Sequence, residues 1–191
     1  ATIATAPTQV AITATVSQIP CYGGTGSVAL HASGGKPGYT FAGDSTALIA
    51  GTYTYMVTDA NGCTATTTAN VSPAPALLVL TATPTQIFCN GGSGSVALSA
   101  VGGTSPYTFG GDTTAGLLAG TYDYTVTDVN GCSASASATI NTQPTAVALN
   151  VTVTQIACNG GTGSVSLQGS GGVGPYTYGG AAVSGLVAGT Y

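Results

Sequence analysis

The sixteen residues LIAGTYTYMVTDANGC (48–63) return as LLAGTYDYTVTDVNGC (117–132), and the phrase starts again as LVAGTY at 186. Cys21, Cys89 and Cys158 each open a block of the form C-[YN]-G-G-[TS]-G-S-V, at spacings of 68 and 69 residues. Cys63 and Cys132 each close an N-G-C block, again 69 apart, and Pro7, Pro75 and Pro144 keep the same rhythm. Repetition at this period is the signature of a tandem array of small units. It divides the chain into residues 1–6 as the tail of a preceding repeat, 7–74 as repeat 1, 75–143 as repeat 2 and 144–191 as repeat 3. Ala1-Thr2-Ile3 aligns with Ala138-Thr139-Ile140, and Tyr191 with Tyr122, so repeat 3 lacks a counterpart of Asp123–Ser137. The expectation is a window on a longer array. The alternative is completion of the open unit by strand addition from another chain.

Within each repeat the pattern is that of strands. Val147, Leu149, Val151 and Val153 alternate with Ala148, Asn150, Thr152 and Thr154. Val28, Leu30 and Ala32 alternate around Ala29 and His31, and Tyr53, Tyr55 and Val57 around Thr54, Met56 and Thr58. Period two predicts one buried and one wet face. Asn61-Gly62 and Asn130-Gly131 predict type I′ hairpins, in which both central residues take positive φ. GGKPGY, GGTSPY and GGVGPY read as turns. No window sustains a helical period. The predicted fold is all-β: tandem immunoglobulin-like antiparallel β-sandwiches of about 69 residues, each with about six or seven short strands. L-x-A-G-T-Y resembles the tyrosine corner of such sandwiches, with Tyr53, Tyr122 and Tyr191 in the corner and Gly51, Gly120 and Gly189 permitting close approach.

Charge narrows the function. Six residues are formally charged, five Asp and one Lys, for a net charge of −4. That excludes a basic footprint for nucleic acid and a polybasic membrane patch. No apolar run approaches the roughly 18 residues a membrane helix needs, so no membrane insertion is expected. Mean hydropathy is +0.39, and 43% of residues are hydrophobic, enough to build cores. Catalysis needs groups that titrate or attack near neutral pH. There is one His and no Glu, and His31 falls on the polar face of a strand. An aspartic dyad needs converging carboxylates, whereas Asp44 and Asp112 stand 68 residues apart on separate repeats. Neither an enzyme nor a cofactor is expected. Asp59 and Asp128 precede the N-G turns, where a lone carboxylate lacks the further oxygens calcium wants and an Asx turn is the simpler role. No metal site is predicted.

Five cysteines in a chain of this composition suggest an oxidised framework. Pairing Cys21–Cys63 and Cys89–Cys132 leaves Cys158 over. Pairing Cys63–Cys89 and Cys132–Cys158 leaves Cys21. Loop entropy, about 4 against roughly 3.5 kcal/mol, decides little. No CxxC spacing points to a metal or redox site.

The blocks CNGGSGSVALSAVGGTSPYTF and LLAGTYDYTVTDVNGC together resemble the SprB repeat, a module found in tandem in very large surface adhesins of gliding bacteria and in related secreted fibres. C-N-G-G-x-G-S, G-G-x-x-P-Y, L-x-x-G-x-Y and V-T-D-x-N-G-C occur in that order. The usual Trp and Asn-Gly turn after P-Y-T are replaced by FAGD, FGGD and YGGA, which marks a variant branch. The resemblance implies an exported, extracellular, cell-surface protein whose partners are further copies of itself or neighbouring repeats. Because each pair brackets one strand set and the family reads as a self-contained unit, it implies the in-repeat disulfides Cys21–Cys63 and Cys89–Cys132. Asp44-Ser45-Thr46 and Asp112-Thr113-Thr114 resemble an Asp-led O-glycosylation pattern of the same bacterial group, making Ser45 and Thr113 candidates. Asn70-Val71-Ser72 and Asn150-Val151-Thr152 are N-glycosylation sequons. Covalent glycan would keep so uncharged a surface soluble. Two function classes follow: a structural module of a filament or adhesin stalk, and a module that binds surface glycans or a partner. Tyr22, where the other repeats have Asn90 and Asn159, is the residue that suggests the second.

Overall fold

A computed structural model describes residues 5–191. The assignment of residues 1–6 to a preceding repeat falls largely outside them. Fourteen strands and no helix are present among the described residues. Repeat 1 carries β1 (Ala11–Ser17), β2 (Ser27–Ser33), β3 (Thr40–Ala42), β4 (Gly51–Thr58) and β5 (Thr64–Val71). Repeat 2 carries β6 (Val79–Thr85), β7 (Gly94–Val101), β8 (Tyr107–Gly111), β9 (Ala115–Leu117), β10 (Gly120–Asp128) and β11 (Ser133–Ile140). Repeat 3 carries β12 (Ala148–Thr154), β13 (Gly163–Ser170) and β14 (Ser184–Leu186). The sheets run β1-β2, β3-β4-β5, β6-β7-β9, β11-β10-β8 and β12-β13-β14. The all-β, antiparallel architecture of small packed sheets is thus the one the period-two pattern predicts. Repeat 2 has six strands, as expected, and repeat 1 has five, because the loop after β3 forms only the isolated Gly26–Leu48 bridge there.

The chain divides into two compact units. One comprises Ala1–Thr81, Ser99–Gly110 and Thr125–Ala136; the other comprises Ala82–Leu98, Gly111–Tyr124 and Ser137–Tyr191. Repeat 2 contributes to both, so compact units and sequence repeats are not the same division of the chain.

Repeat 1 shows how the alternation makes a core. β1 pairs with β2 so that Val16 faces Val28 and Ile12 faces Ala32, and β4 pairs with β5 so that Tyr55 faces Thr67 and Val57 faces Ala65. β1 lies against β4 and β5. Val10, Ile12, Ile19, Val28, Leu48, Tyr55, Val57, Ala69 and Val71 form the buried cluster between the sheets. Thr54, Met56 and His31 take the wet positions. At the equivalent positions of repeat 2, Leu78, Leu80, Ile87, Val96, Leu117, Tyr124, Val126, Ala138 and Ile140 are all buried. Each fully buried Val or Leu side chain stabilises the fold by about 1.5–3 kcal/mol.

Gln18 closes one edge of repeat 1. Its Nε2 donates to the Asn70 carbonyl (3.2 Å) and its Oε1 accepts from the Ser72 N–H (2.7 Å), so an amide side chain continues the ladder where the strands part. Gln86 does the same in repeat 2, to Thr139 (3.0 Å) and from Asn141 (2.7 Å). The Gln-Ile dipeptide just before each opening cysteine was a signal for this, visible by laying the three repeats over one another.

Candidate functional site: the cysteine joint and its clamps

The hairpin that closes each repeat is built around one buried carboxylate. Asp59 Oδ1 accepts the N–H groups of Asn61 (2.9 Å) and Cys63 (2.8 Å), while Oδ2 accepts that of Lys36 (2.9 Å). Asp128 repeats this with Asn130 (2.9 Å), Cys132 (2.9 Å) and Thr104 (2.8 Å). One side chain thereby ties the N-G-C turn to the Gly-Gly loop. The Lys36 N–H, with those of Cys63 and Asn61, outweighs burial and holds the Asp59 carboxyl below the usual carboxylate range. Burial alone would raise the Asp128 carboxyl; the N–H groups of Thr104, Cys132, Asn130 and Gly131 win and hold it below that range too. The Gly-Gly loop must come very close to receive this clamp. A Cβ on Gly35 (φ +58°) would stand 2.5 Å from Asp59 Oδ2, and one on Gly103 (φ +57°) 2.8 Å from Asp128 Oδ2.

The clamp also corrects the predicted turn type. Asp59 N–H donates to the Cys63 carbonyl (2.9 Å) and Gly62 N–H to the Asp59 carbonyl (3.0 Å). Only Gly62 (φ +84°) and Gly131 (φ +84°) are left-handed there; Asn61 and Asn130 are not. The hairpin is a turn followed by a single left-handed glycine, the G1-bulge form, and not type I′. The reason is the Asp side chain, which captures the Asn N–H from a conformation of ordinary φ.

Tyrosines hold the other corners. Tyr53, Tyr122 and Tyr191 each donate a hydroxyl hydrogen bond to the carbonyl four residues upstream, on Ile49 (2.9 Å), Leu118 (3.0 Å) and Val187 (2.9 Å). Tyr55 and Tyr124 are wholly buried and reach Asp44 (2.8 Å) and Thr113 (2.9 Å) carbonyls. Burial pushes both hydroxyls above the ordinary tyrosine value. The sequence pattern put these two in the core but gave no sign of their partners.

The cysteines are not joined within repeats. Cys21 is bonded to Cys132, 111 residues away, with Cα atoms 5.8 Å apart, and Cys63, Cys89 and Cys158 are free and exposed. This replaces the expected pairs Cys21–Cys63 and Cys89–Cys132. The physical reason is the position of the opening loop of repeat 1: it lies against the closing hairpin of repeat 2, where Asn130 Nδ2 donates to the Pro20 carbonyl (3.2 Å) and to Thr104 Oγ1 (3.1 Å).

The glycosylation candidates are dispersed. Ser45 is half-buried, and Thr113, Asn70 (on β5) and Asn150 (on β12) are exposed. The two Asp-led triplets do not occupy equivalent places. Val28 N–H donates to the Ser45 carbonyl and Val96 N–H to that of Thr114, both at 2.8 Å, while Val165 N–H donates to Val183. Asp112 is therefore the residue by which repeat 2 exceeds repeat 1, and its Oδ2 accepts the Asp123 N–H (2.8 Å). Tyr22 is exposed beside Cys21, and His31 is exposed on β2. Among the described residues, no three of His, Cys, Asp and Glu gather in a group that could hold a metal ion, and no helix is long and apolar enough to cross a membrane.

These features define a tandem all-β repeat protein with a covalent joint between neighbouring repeats. Residues 13–42 and 150–180, at corresponding places in repeats 1 and 3, match the family model of the SprB repeat. That family is associated with cell-surface proteins. No curated protein and no solved structure matches the chain.

Proposed function

We propose that this chain is a structural module of an extracellular bacterial filament or adhesin stalk, exported, glycosylated and acting without catalysis or cofactor. The observation that carries the reading is the SprB-repeat match at two places separated by two repeat periods. Other features agree with it. Each buried carboxylate has its oxygens occupied by backbone N–H groups, which suits a clamp better than an acid or base. Every buried side-chain nitrogen and oxygen among the described residues is satisfied. The near-absence of charge calls for another source of solubility, and exposed Thr113 and Asn70 offer attachment points for sugar. Its partners are neighbouring repeats and further copies of the chain.

The test uses native material. Protease added to intact cells should remove the protein, and the segment should weigh more than its 18.2 kDa polypeptide, with sugar on Ser45 and Thr113. Repeat 3, which reads Ala181-Ala182-Val183 there, should be bare. Protection from external protease would overturn the surface role, and an unmodified mass the glycan.

A further inference from the structure

The one bond present joins unlike positions: Cys21 opens repeat 1, and Cys132 closes repeat 2. The three free cysteines occupy the same two kinds of position. Cys63 is a closing cysteine; Cys89 and Cys158 are opening ones. Their backbones are set as the bonded pair's are. In each opening loop a glycine N–H three residues on donates to the cysteine carbonyl: Gly24 to Cys21 (3.0 Å), Gly92 to Cys89 (3.0 Å) and Gly161 to Cys158 (2.9 Å). In each closing hairpin the cysteine N–H is held by the aspartate Oδ1, at 2.8 Å for Cys63 and 2.9 Å for Cys132. What differs is exposure: Cys21 and Cys132 are half-buried, and the other three are exposed.

A second feature brings the next repeat to the opening loop. Beside Cys21 it is the Asn130 amide on the Pro20 carbonyl. Beside Cys89, Asn90 Nδ2 donates to the carbonyl of Pro144 (3.1 Å), the first residue of repeat 3, and Gly91 N–H donates to Oε1 of Gln143 (2.6 Å), the last residue of repeat 2.

We propose that Cys63, Cys89 and Cys158 are half-bonds of a polar disulfide ladder, in which the opening cysteine of one repeat bonds the closing cysteine of the repeat that follows. The partner is another copy of this repeat, in the same polypeptide or in a second chain. The proposal rests on the reading of the chain as a tandem structural module. Its rule is directional: closing joins opening, never like to like. Cys63–Cys89 within one chain would break the rule, because it joins the closing cysteine of repeat 1 to the opening cysteine of the repeat after it. Between chains, Cys158 of one copy and Cys63 of another satisfy it, with the second copy's repeat 1 standing where a fourth repeat would. With oxidised glutathione as the oxidant, one cysteine thiolate attacks the glutathione disulfide and releases one glutathione thiolate. The second cysteine then displaces the other. Two protein thiols become one disulfide, and the two electrons reside on two reduced glutathiones.

The 191-residue chain, carrying its Cys21–Cys132 bond, is treated with oxidised glutathione at rising protein concentration and resolved without reductant. The expected result is a series of disulfide-linked multimers whose peptide map joins Cys63 of one copy to Cys158 of another. Cys63→Ser removes the one free closing cysteine and should lower multimer yield at least tenfold. Cys158→Ser should do the same, and Cys89→Ser should retain the multimers. All these residues are exposed, and retention of the Cys21–Cys132 peptide checks that each variant has folded. Cys63–Cys63 or opening-to-opening links in comparable yield, multimers that survive Cys63→Ser, an intramolecular Cys63–Cys89 bond, or a chain that stays monomeric would each overturn the ladder. The outcomes separate from those of the stalk reading: surface-exposed native protein with free thiols retains the stalk and removes the ladder, while ladder formation by a protein shielded from external protease does the reverse.

Discussion

Repeats 1 and 3 begin with the same two-stranded frame. Ala11 faces Ser33 and Val16 faces Val28 across β1-β2; Ala148 faces Ser170 and Val153 faces Val165 across β12-β13. Yet Val10 and Ile12 are 5 and 9% exposed, while their equivalents Val147 and Leu149 are 70 and 57% exposed. The register is a property of the pair itself, set by alternation and by the turn between the strands. Burial is a property of what lies opposite. In repeat 1 that is β4 and β5, and none of the described residues of repeat 3 takes their place. Among the described residues, the apolar face of β12 keeps its alternation and has no strands packed opposite it.

The comparison can be tested by perturbing matched positions. The largest effect is expected from the disulfide. A closed loop of 111 residues is worth about 5 kcal/mol in the chain-entropy picture. Cys132→Ser should lower the unfolding free energy of repeats 1 and 2 on that scale in urea, with the amide protection of β12-β13 unchanged. An equal loss of protection in repeat 3 would show that the joint reaches further than the bonded repeats. Next is the core. Leu80→Ala, at a site 6% exposed, should cost about 2–5 kcal/mol. Leu149→Ala at the same repeat position should stay within about 0.5 kcal/mol. Similar costs for the two would mean that the face of β12 is covered in solution.

The third contrast is in pH. All five aspartates lie in repeats 1 and 2. Asp59 and Asp128 have folded-state values below the ordinary one. Their stabilisation is fully present above about pH 4 and is lost as pH falls from there through the lowered folded values. Amide exchange at residues 59–63 and 128–132 should accelerate over that window, with no change in β12-β13. The raised hydroxyls of Tyr55 and Tyr124 act in the opposite sense, contributing stability below about pH 10 that is lost above it. The smallest effect belongs to the edge glutamines. Gln86→Ala removes two side-chain hydrogen bonds and should cost about 1–2 kcal/mol. Gln155→Ala, where no β5 equivalent stands alongside, should be close to neutral. A measurable cost at Gln155 would place a partner there.

Much of this was legible in the sequence, and the failures have a common cause. Alternation is local, so the strands and the wet positions of His31, Thr54 and Met56 could be read directly. The place of the hairpins was local as well. Their type was not, because it depends on the carboxylate of Asp59 and on the Gly-Gly loop that this carboxylate also holds. The disulfide escaped for a larger version of the same reason. Spacing within a repeat cannot reveal that Cys21 faces a hairpin 111 residues on. The repeat alignment placed Asp112 opposite Asp44, and only the hydrogen bonds of Val28 and Val96, and of Tyr55 and Tyr124, show that repeat 2 carries one residue more in that loop.

The Cys21–Cys132 bond also fixes how the molecule carries a pull. A load entering near residue 5 and leaving near residue 191 reaches Cys21, crosses the two sulfurs and continues from Cys132. The backbone between them bears no tension while the bond lasts. At about 3.5 Å for each extended residue, those 111 steps represent roughly 390 Å of slack held out of reach. With the bond intact, stretching can unravel only the segments outside the loop. Once it is reduced, the same chain can lengthen by that hidden reserve before the covalent backbone is strained. Thiol chemistry at one joint would thus set how far these two repeats can be drawn out.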